Sequence, residues 1–263
     1  MSMKKFFILC FLTSFLLISC SKNENKEDEI EETELEIPLS IYQKIYKTTA
    51  DIYIQDGFVY IYTDGVPDHK SPYFPVNHEL YESYDGSNPF VSNFNKNPNG
   101  ISTLSLRFKI PNKPKKASFS GPTPLGAIGV SLNGVPFYNQ YAGPGQPLTR
   151  EINSFDQFNG HPAPLGPGLE DGVSGRYHYH MEPFWITQSK GKDALIGFLL
   201  DGFPVYGPVE NGNPIYSVSL DEYHGHTHST SEFPDGIYHY HVTPDDPYIN
   251  GSGFYGVPGT VNE

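Results

Sequence analysis

Two copies of a Tyr-His-Tyr-His tetrad stand out: Tyr177-His178-Tyr179-His180 and Tyr238-His239-Tyr240-His241, each framed by an upstream glycine (Gly175, Gly236) and a downstream proline (Pro183, Pro244). Tyrosine and the strict alternation favour an extended strand, where residues two apart share a face. His178 and His180 then point one way, with Tyr177 and Tyr179 behind them. Same-face residues lie roughly 6–7 Å apart along a strand, close enough for two imidazoles to converge on one ion. A third imidazole is offered by a Gly-His pair ahead of each tetrad, Gly160-His161 and Gly225-His226. Three neutral histidines with a vacant position form the donor set of catalytic zinc and of several copper sites. The candidate ligands are therefore His161, His178, His180, His226, His239 and His241. Copper(II) has the highest intrinsic affinity for an all-nitrogen set and is slightly favoured over zinc, the ion more often available.

Buried histidines with both nitrogens hydrogen-bonded are common, so an isolated His-x-His strand would carry little weight. Duplication changes that. Leu132-Asn133-Gly134-Val135-Pro136-Phe137-Tyr138 matches Leu200-Asp201-Gly202-Phe203-Pro204-Val205-Tyr206, and Phe155 to His161 matches Leu220 to His226. The repeat therefore consists of whole units, about 129–183 and 197–244, that keep all six histidines while most neighbours differ. His224 aligns with Asn159 and His228 with Ala163, so neither belongs to the duplicated set. Asp156 and Asp221, five residues before each Gly-His, are matched as well. They could orient ligating imidazoles through the distal ring nitrogen or cap a turn.

Glycine and proline number 26 and 24, and the apolar runs between them are short. That composition suits strands joined by tight turns. Tyr53 to Tyr62 reads as a hairpin on Asp56-Gly57, Thr103 to Ile110 as a strand ending at Pro111, and Leu195 to Leu200 as a buried strand entering the Asp201-Gly202 turn. Ser40 to Lys47 is the one segment with a helical pattern, weakened by its β-branched residues. The expected architecture is all-β, a sandwich or barrel, whose C-terminal half is a tandem pair about a local pseudo-two-fold axis. If the units meet at that axis, six imidazoles could hold a two-metal centre. If they diverge, there are two mononuclear sites.

The N-terminus reads as an export signal. Lys4 and Lys5 precede fourteen apolar-rich residues, Phe6 to Ser19, and Leu17-Ile18-Ser19-Cys20 has the form of a bacterial lipobox. Fourteen residues are too few to cross a bilayer, and lipidation at Cys20 would supply a stable anchor. Cys10, the second of two cysteines, leaves with the leader at 1–19, so no disulfide is expected. Residues 20–36 carry eight acidic residues against two lysines and read as a solvated tether. An acidic run close behind the lipidated cysteine resembles signals that send lipoproteins to the outer face of the outer membrane. The body, 37–263, is acidic too; with a net charge of −13 for the whole chain, nucleic acid is an unsuitable partner.

The tetrads, the Gly-His pairs, Asp201-Gly202-Phe203-Pro204-Val205-Tyr206-Gly207 and the closing Pro247-Tyr248, Phe254 and Gly256 together resemble the YHYH-domain proteins. The resemblance begins at Val66-Pro67-Asp68-His69 and runs to about Gly256. It implies export and a shared β architecture but no reaction. It also makes His69 a second-rank ligand. Where many members carry cysteine, before the second Gly-His and near the C-terminal glycine, this chain has Tyr223 and Phe254. Three functional classes stay open: a metal-dependent enzyme, a metal-binding lipoprotein, and a cell-surface glycan-binding or structural module that would use aromatics such as Trp185. Nucleophilic and phosphate-loop chemistry find no support: Ser174 lacks a Gly-x-Ser-x-Gly elbow, and Gly143-Pro-Gly145 and Gly166-Pro-Gly168 lack a strand-to-helix setting.

Overall fold

The computed structural model describes residues 35–165 and 174–262. The leader, Cys20, nearly all of the acidic tether and the Gly166-Pro-Gly168 turn lie outside the described residues. Ile37 is fully buried and its amide donates to the Asn112 carbonyl.

Two sheets make the body. The smaller is four-stranded, in the order β1 (Tyr53–Gln55), β2 (Phe58–Thr63), β4 (Leu106–Pro111) and β17 (Thr260–Asn262), all antiparallel. Its hairpin turns on Asp56 and Gly57, with φ of 51° and 77°, the left-handed pair that a two-residue loop between twisted strands requires. In β4, Leu106, Phe108 and Ile110 are buried while Arg107 and Lys109 lie over the rings of Tyr60 and Phe58. The sequence alternation thus becomes one face in the core and one in solvent.

The larger sheet has nine strands: β3 (Gly100–Ile101), β5 (Ala127–Ser131), β6 (Pro136–Tyr138), β9 (Gly160–Pro164), β10 (Ser174–Tyr179), β11 (Leu195–Leu199), β12 (Pro204–Tyr206), β15 (Gly225–His228) and β16 (Ile237–His241). Two small ribbons complete the strands, β7 (Tyr141–Ala142) with β8 (Gln146–Pro147) and β13 (Val209–Glu210) with β14 (Asn213–Pro214). Leaving β3 aside, the order is palindromic: β9-β10-β6-β5, then β11-β12-β16-β15. In each half a hairpin is followed by a parallel strand, and that by an antiparallel one. At the centre β5 and β11 run antiparallel with Val130 opposite Phe198, positions aligned in the two repeat units. The register shifts at Ala127/Gly129 and Leu195/Gly197 are aligned too.

One continuous apolar core lies between the sheets, with Val59, Ile61 and Phe108 from one and Ile128, Val130, Phe198 and Val205 from the other. The architecture is all-β and sandwich-like; among the described residues neither sheet closes into a barrel. The close approach of β5 and β11 depends on glycine, since a Cβ on Gly197 would lie 2.3 Å from the Val130 carbonyl oxygen and one on Gly129 would lie 2.4 Å from that of Phe198. Gly197→Ala is expected to cost about 3 kcal/mol or more, as overpacking against backbone does, read as a lowered urea midpoint with unchanged slope.

The helices differ from expectation. Instead of Ser40–Lys47, a single turn, α1 (Leu39–Tyr42), follows Pro38 with no side-chain cap, consistent with the β-branched Ile41 and Ile45. An unanticipated helix, α2 (Phe184–Lys190), follows Pro183 and stops at Gly191, whose φ of 111° ends it. Its signal, proline before and glycine after, lay just past the first repeat, beside the tetrad.

Candidate metal centres

Each tetrad is a buried strand with a Gly-His strand paired against it in the same register: His178 faces His161 across β10 and β9, and His239 faces His226 across β16 and β15. Cross-strand pairing and the i, i+2 spacing bring three rings together on one face. In the first group the Nε2 atoms of His161 and His178 are 3.1 Å apart and those of His178 and His180 2.8 Å. In the second, His226 and His241 are 3.2 Å apart at Nε2, and Glu210 Oε1 lies 3.3 Å from His226, 3.5 Å from His239 and 3.9 Å from His241. An ion holding nitrogen donors at 2.0–2.1 Å tetrahedrally would space them by about 3.3 Å.

The opposite nitrogens explain why the contact between His178 and His180 cannot be an ordinary hydrogen bond. His178 Nδ1–H donates to the Arg176 carbonyl and His180 Nδ1–H to that of Asn139; in the second group His239 donates to Ile237 and His241 to Gly207. A neutral imidazole that donates from Nδ1 keeps only a lone pair at Nε2. His178 and His180 therefore direct two lone pairs at each other across 2.8 Å. Such a contact needs a proton or a cation between the rings. Protonation is opposed by burial, which holds His161 and His178 well below the usual histidine range and brings His180 and His241 to about 4. His239 Nε2 is buried without a hydrogen-bond partner. An ion in each group would satisfy these lone pairs.

Aromatic walls hold the rings. Tyr138 stacks on His178 at 3.9 Å, and Phe155 lies edge-on to His161 and parallel to His180. Tyr206, which aligns with Tyr138, meets His239 edge-on. The two groups occupy opposite wings of the sheet: β10 and β16 are five strand spacings apart, about 24 Å. These are separate three-histidine groups rather than one six-histidine centre.

The YHYH protein family model matches residues 107–216 and 215–253, more than half of the chain and both tetrads. The chain belongs to the YHYH protein family. No curated protein and no solved structure matches it. The structure of this YHYH protein puts the family's named tyrosines behind the histidines. Tyr177 and Tyr238 donate to Asp156 and Asp221, and Tyr240 donates to the buried Asp201, whose carboxyl is pushed up to about 6 by burial.

The aspartates expected to orient imidazoles do not touch them. Asp156 Oδ1 accepts the amides of Phe158 and Gly160, and Asp221 Oδ1 those of Tyr223 and Gly225. They cap the turns that deliver His161 and His226. Backbone carbonyls take the orienting role, and Ser154 Oγ does so for His161. His69, the second-rank ligand, lies outside both groups in this YHYH protein. Its ring nitrogens are engaged by the Lys70 carbonyl and the Tyr179 hydroxyl, on the tyrosine face of the strand. His224 is buried against Thr243, and His228 sits at the exposed rim, bonded to Glu210. Trp185 packs near Phe158 and His69.

Glu210 escaped sequence reasoning because it aligns with Ala142, so the criterion that selected the six histidines removed it. The legible hint was its place just ahead of the Asn211-Gly212 turn. Burial alone would raise its carboxyl; the bond with His228 and the neighbouring histidines outweigh that and lower it. Among the described residues, Glu151 is the carboxylate beside the first group, with Oε2 3.6 Å from His161 Nε2.

Proposed function

We propose that this chain is an exported lipoprotein that binds transition-metal ions at two mononuclear sites, His161/His178/His180 and Glu210/His226/His239/His241. The observation that carries the reading is the gathering of ring nitrogens in each group while the Nδ1 atoms of His178, His180, His239 and His241 are committed to backbone carbonyls. Copper is the preferred ion for the all-nitrogen site and zinc the alternative; Glu210 adds an oxygen donor that both accept. The lipobox at Cys20 and the acidic tether support anchoring in the bacterial cell envelope, at the outer membrane and facing outward. The palindromic strand order and the pairing of aligned Val130 and Phe198 support a pseudo-two-fold relation between the sites. Whichever ion is resident, the protein's part is to hold it with neutral rings, fixed by aromatic packing.

Elemental analysis of residues 37–263, dialysed after reconstitution, tests this. The expected content is two ions per chain, and with copper the paramagnetic resonance spectrum should show isolated rather than coupled centres. His178→Ala with His180→Ala should leave one ion. A content below about 0.2 per chain at neutral pH would return the histidines to a purely structural role.

A further inference from the structure

Beside each histidine group lies a cavity, and the two differ in charge. The cavity at the second group, about 380 Å³, is lined by His239, His241 and Glu210 themselves, together with Asp193 and the hydroxyls of Ser229 to Ser231. Among the described residues its lining holds two carboxylates and no lysine or arginine. The cavity at the first group, about 400 Å³, reaches one ring, His161, and among the described residues its lining carries Lys96 and Arg150 against the carboxylate Glu151. Exposure runs the same way. His161, His178 and His180 are at most 3 % exposed, whereas the side chains of His226 and Glu210 are 18 % and 17 % exposed.

A hydrated divalent cation is drawn into a cleft lined by carboxylates and repelled by one rimmed with ammonium and guanidinium groups. Hydroxyls and carboxylates can also replace its water shell stepwise as it descends. A path of this kind ends at Glu210, which stands at the mouth of the second group with one oxygen toward the rings and the other bonded to His228. The first group offers no such path. An ion there is walled by Tyr138 and Phe155.

Building on the two-site reading, we propose that the sites are kinetically divided: the Glu210/His226/His239/His241 site is an exchange port for a hydrated divalent cation, reached through the acidic cavity, and the His161/His178/His180 site retains its ion. The ligand of the acidic cavity is then the aquo cation itself.

Zinc release from the full chain separates these roles. Protein loaded with zinc, transferred to excess chelator and followed with a colorimetric zinc indicator, should release two ions in two phases of equal amplitude, the fast at least about tenfold faster than the slow. His241→Ala should abolish the fast phase and His178→Ala the slow. Asp193→Asn, which alters the cavity rim and no ligand, should slow re-uptake at the fast site by roughly twofold or more, and Lys96→Glu with Arg150→Glu should accelerate the slow phase. Two ions leaving in one phase, or a fast phase that survives His241→Ala, would overturn the division while leaving two-site binding intact. Fewer than two ions at the outset would overturn both.

Discussion

Stripping metal from the reconstituted protein is expected to lower its thermal midpoint by roughly 15–30 °C. An ion that binds only the folded chain stabilises it by about 4 kcal/mol when its free concentration is about a thousand times Kd. Two independent sites give about twice that, and a domain of this size shifts by about 2–4 °C per kcal/mol. The folded metal-free state also has to accommodate the facing lone pairs of His178 and His180, 2.8 Å apart. Differential scanning calorimetry with and without chelator measures the shift. His178→Ala should remove about half of it, and a midpoint indifferent to chelator would contradict the two-ion reading.

The second large effect is acid instability of the metal-free form. Burial lowers His180, His224 and His241 to about 4, against about 6.5 in an unfolded chain. Between those values the unfolded state binds more protons, so stability is fully present above about 6.5 and falls as pH falls. Each of the three contributes on the order of 3 kcal/mol over that window, and His69, His161, His178, His226 and His239 shift in the same direction. Asp201 and Glu151 oppose them: burial raises both carboxyls, Asp201 to about 6, which favours the folded state in acid, an effect lost as pH rises through the raised value. Two groups against eight do not reverse the trend. With total stability of about 5–15 kcal/mol, the metal-free chain should unfold near pH 5, seen by circular dichroism. A midpoint below about pH 3.5 would show that the rings are not held neutral by burial.

Much of this arrangement was legible in the residues. The Tyr-His alternation placed two rings of each group on one face because period-two geometry leaves no other choice, and the Asp56-Gly57 hairpin followed from the φ values that such a turn demands. Comparing the repeats set aside His224 and His228, which lie against Thr243 and at the Glu210 rim. The same comparison hid Glu210, since a residue present in one copy is discarded as noise. His69 lies away from both groups for a different reason: a family element marks where a histidine sits in the chain, but not which strand face it meets. The number of centres depended on strand order across the sheet, a non-local property that no motif carries. The carbonyls that orient the rings, Asn139 and Gly207 among them, leave no side-chain signature at all.

The antiparallel contact between β5 and β11 also bears on how such a chain could have arisen. Cut between its repeats, either half would expose a bare strand edge whose natural complement is an identical edge, so a half-length polypeptide would self-associate as a homodimer. Fusion of two such halves turns that encounter into an intramolecular one, and assembly no longer depends on concentration. Halves that share one chain can diverge separately, and the two wings do differ, with Glu210 in one at the position aligned with Ala142 in the other.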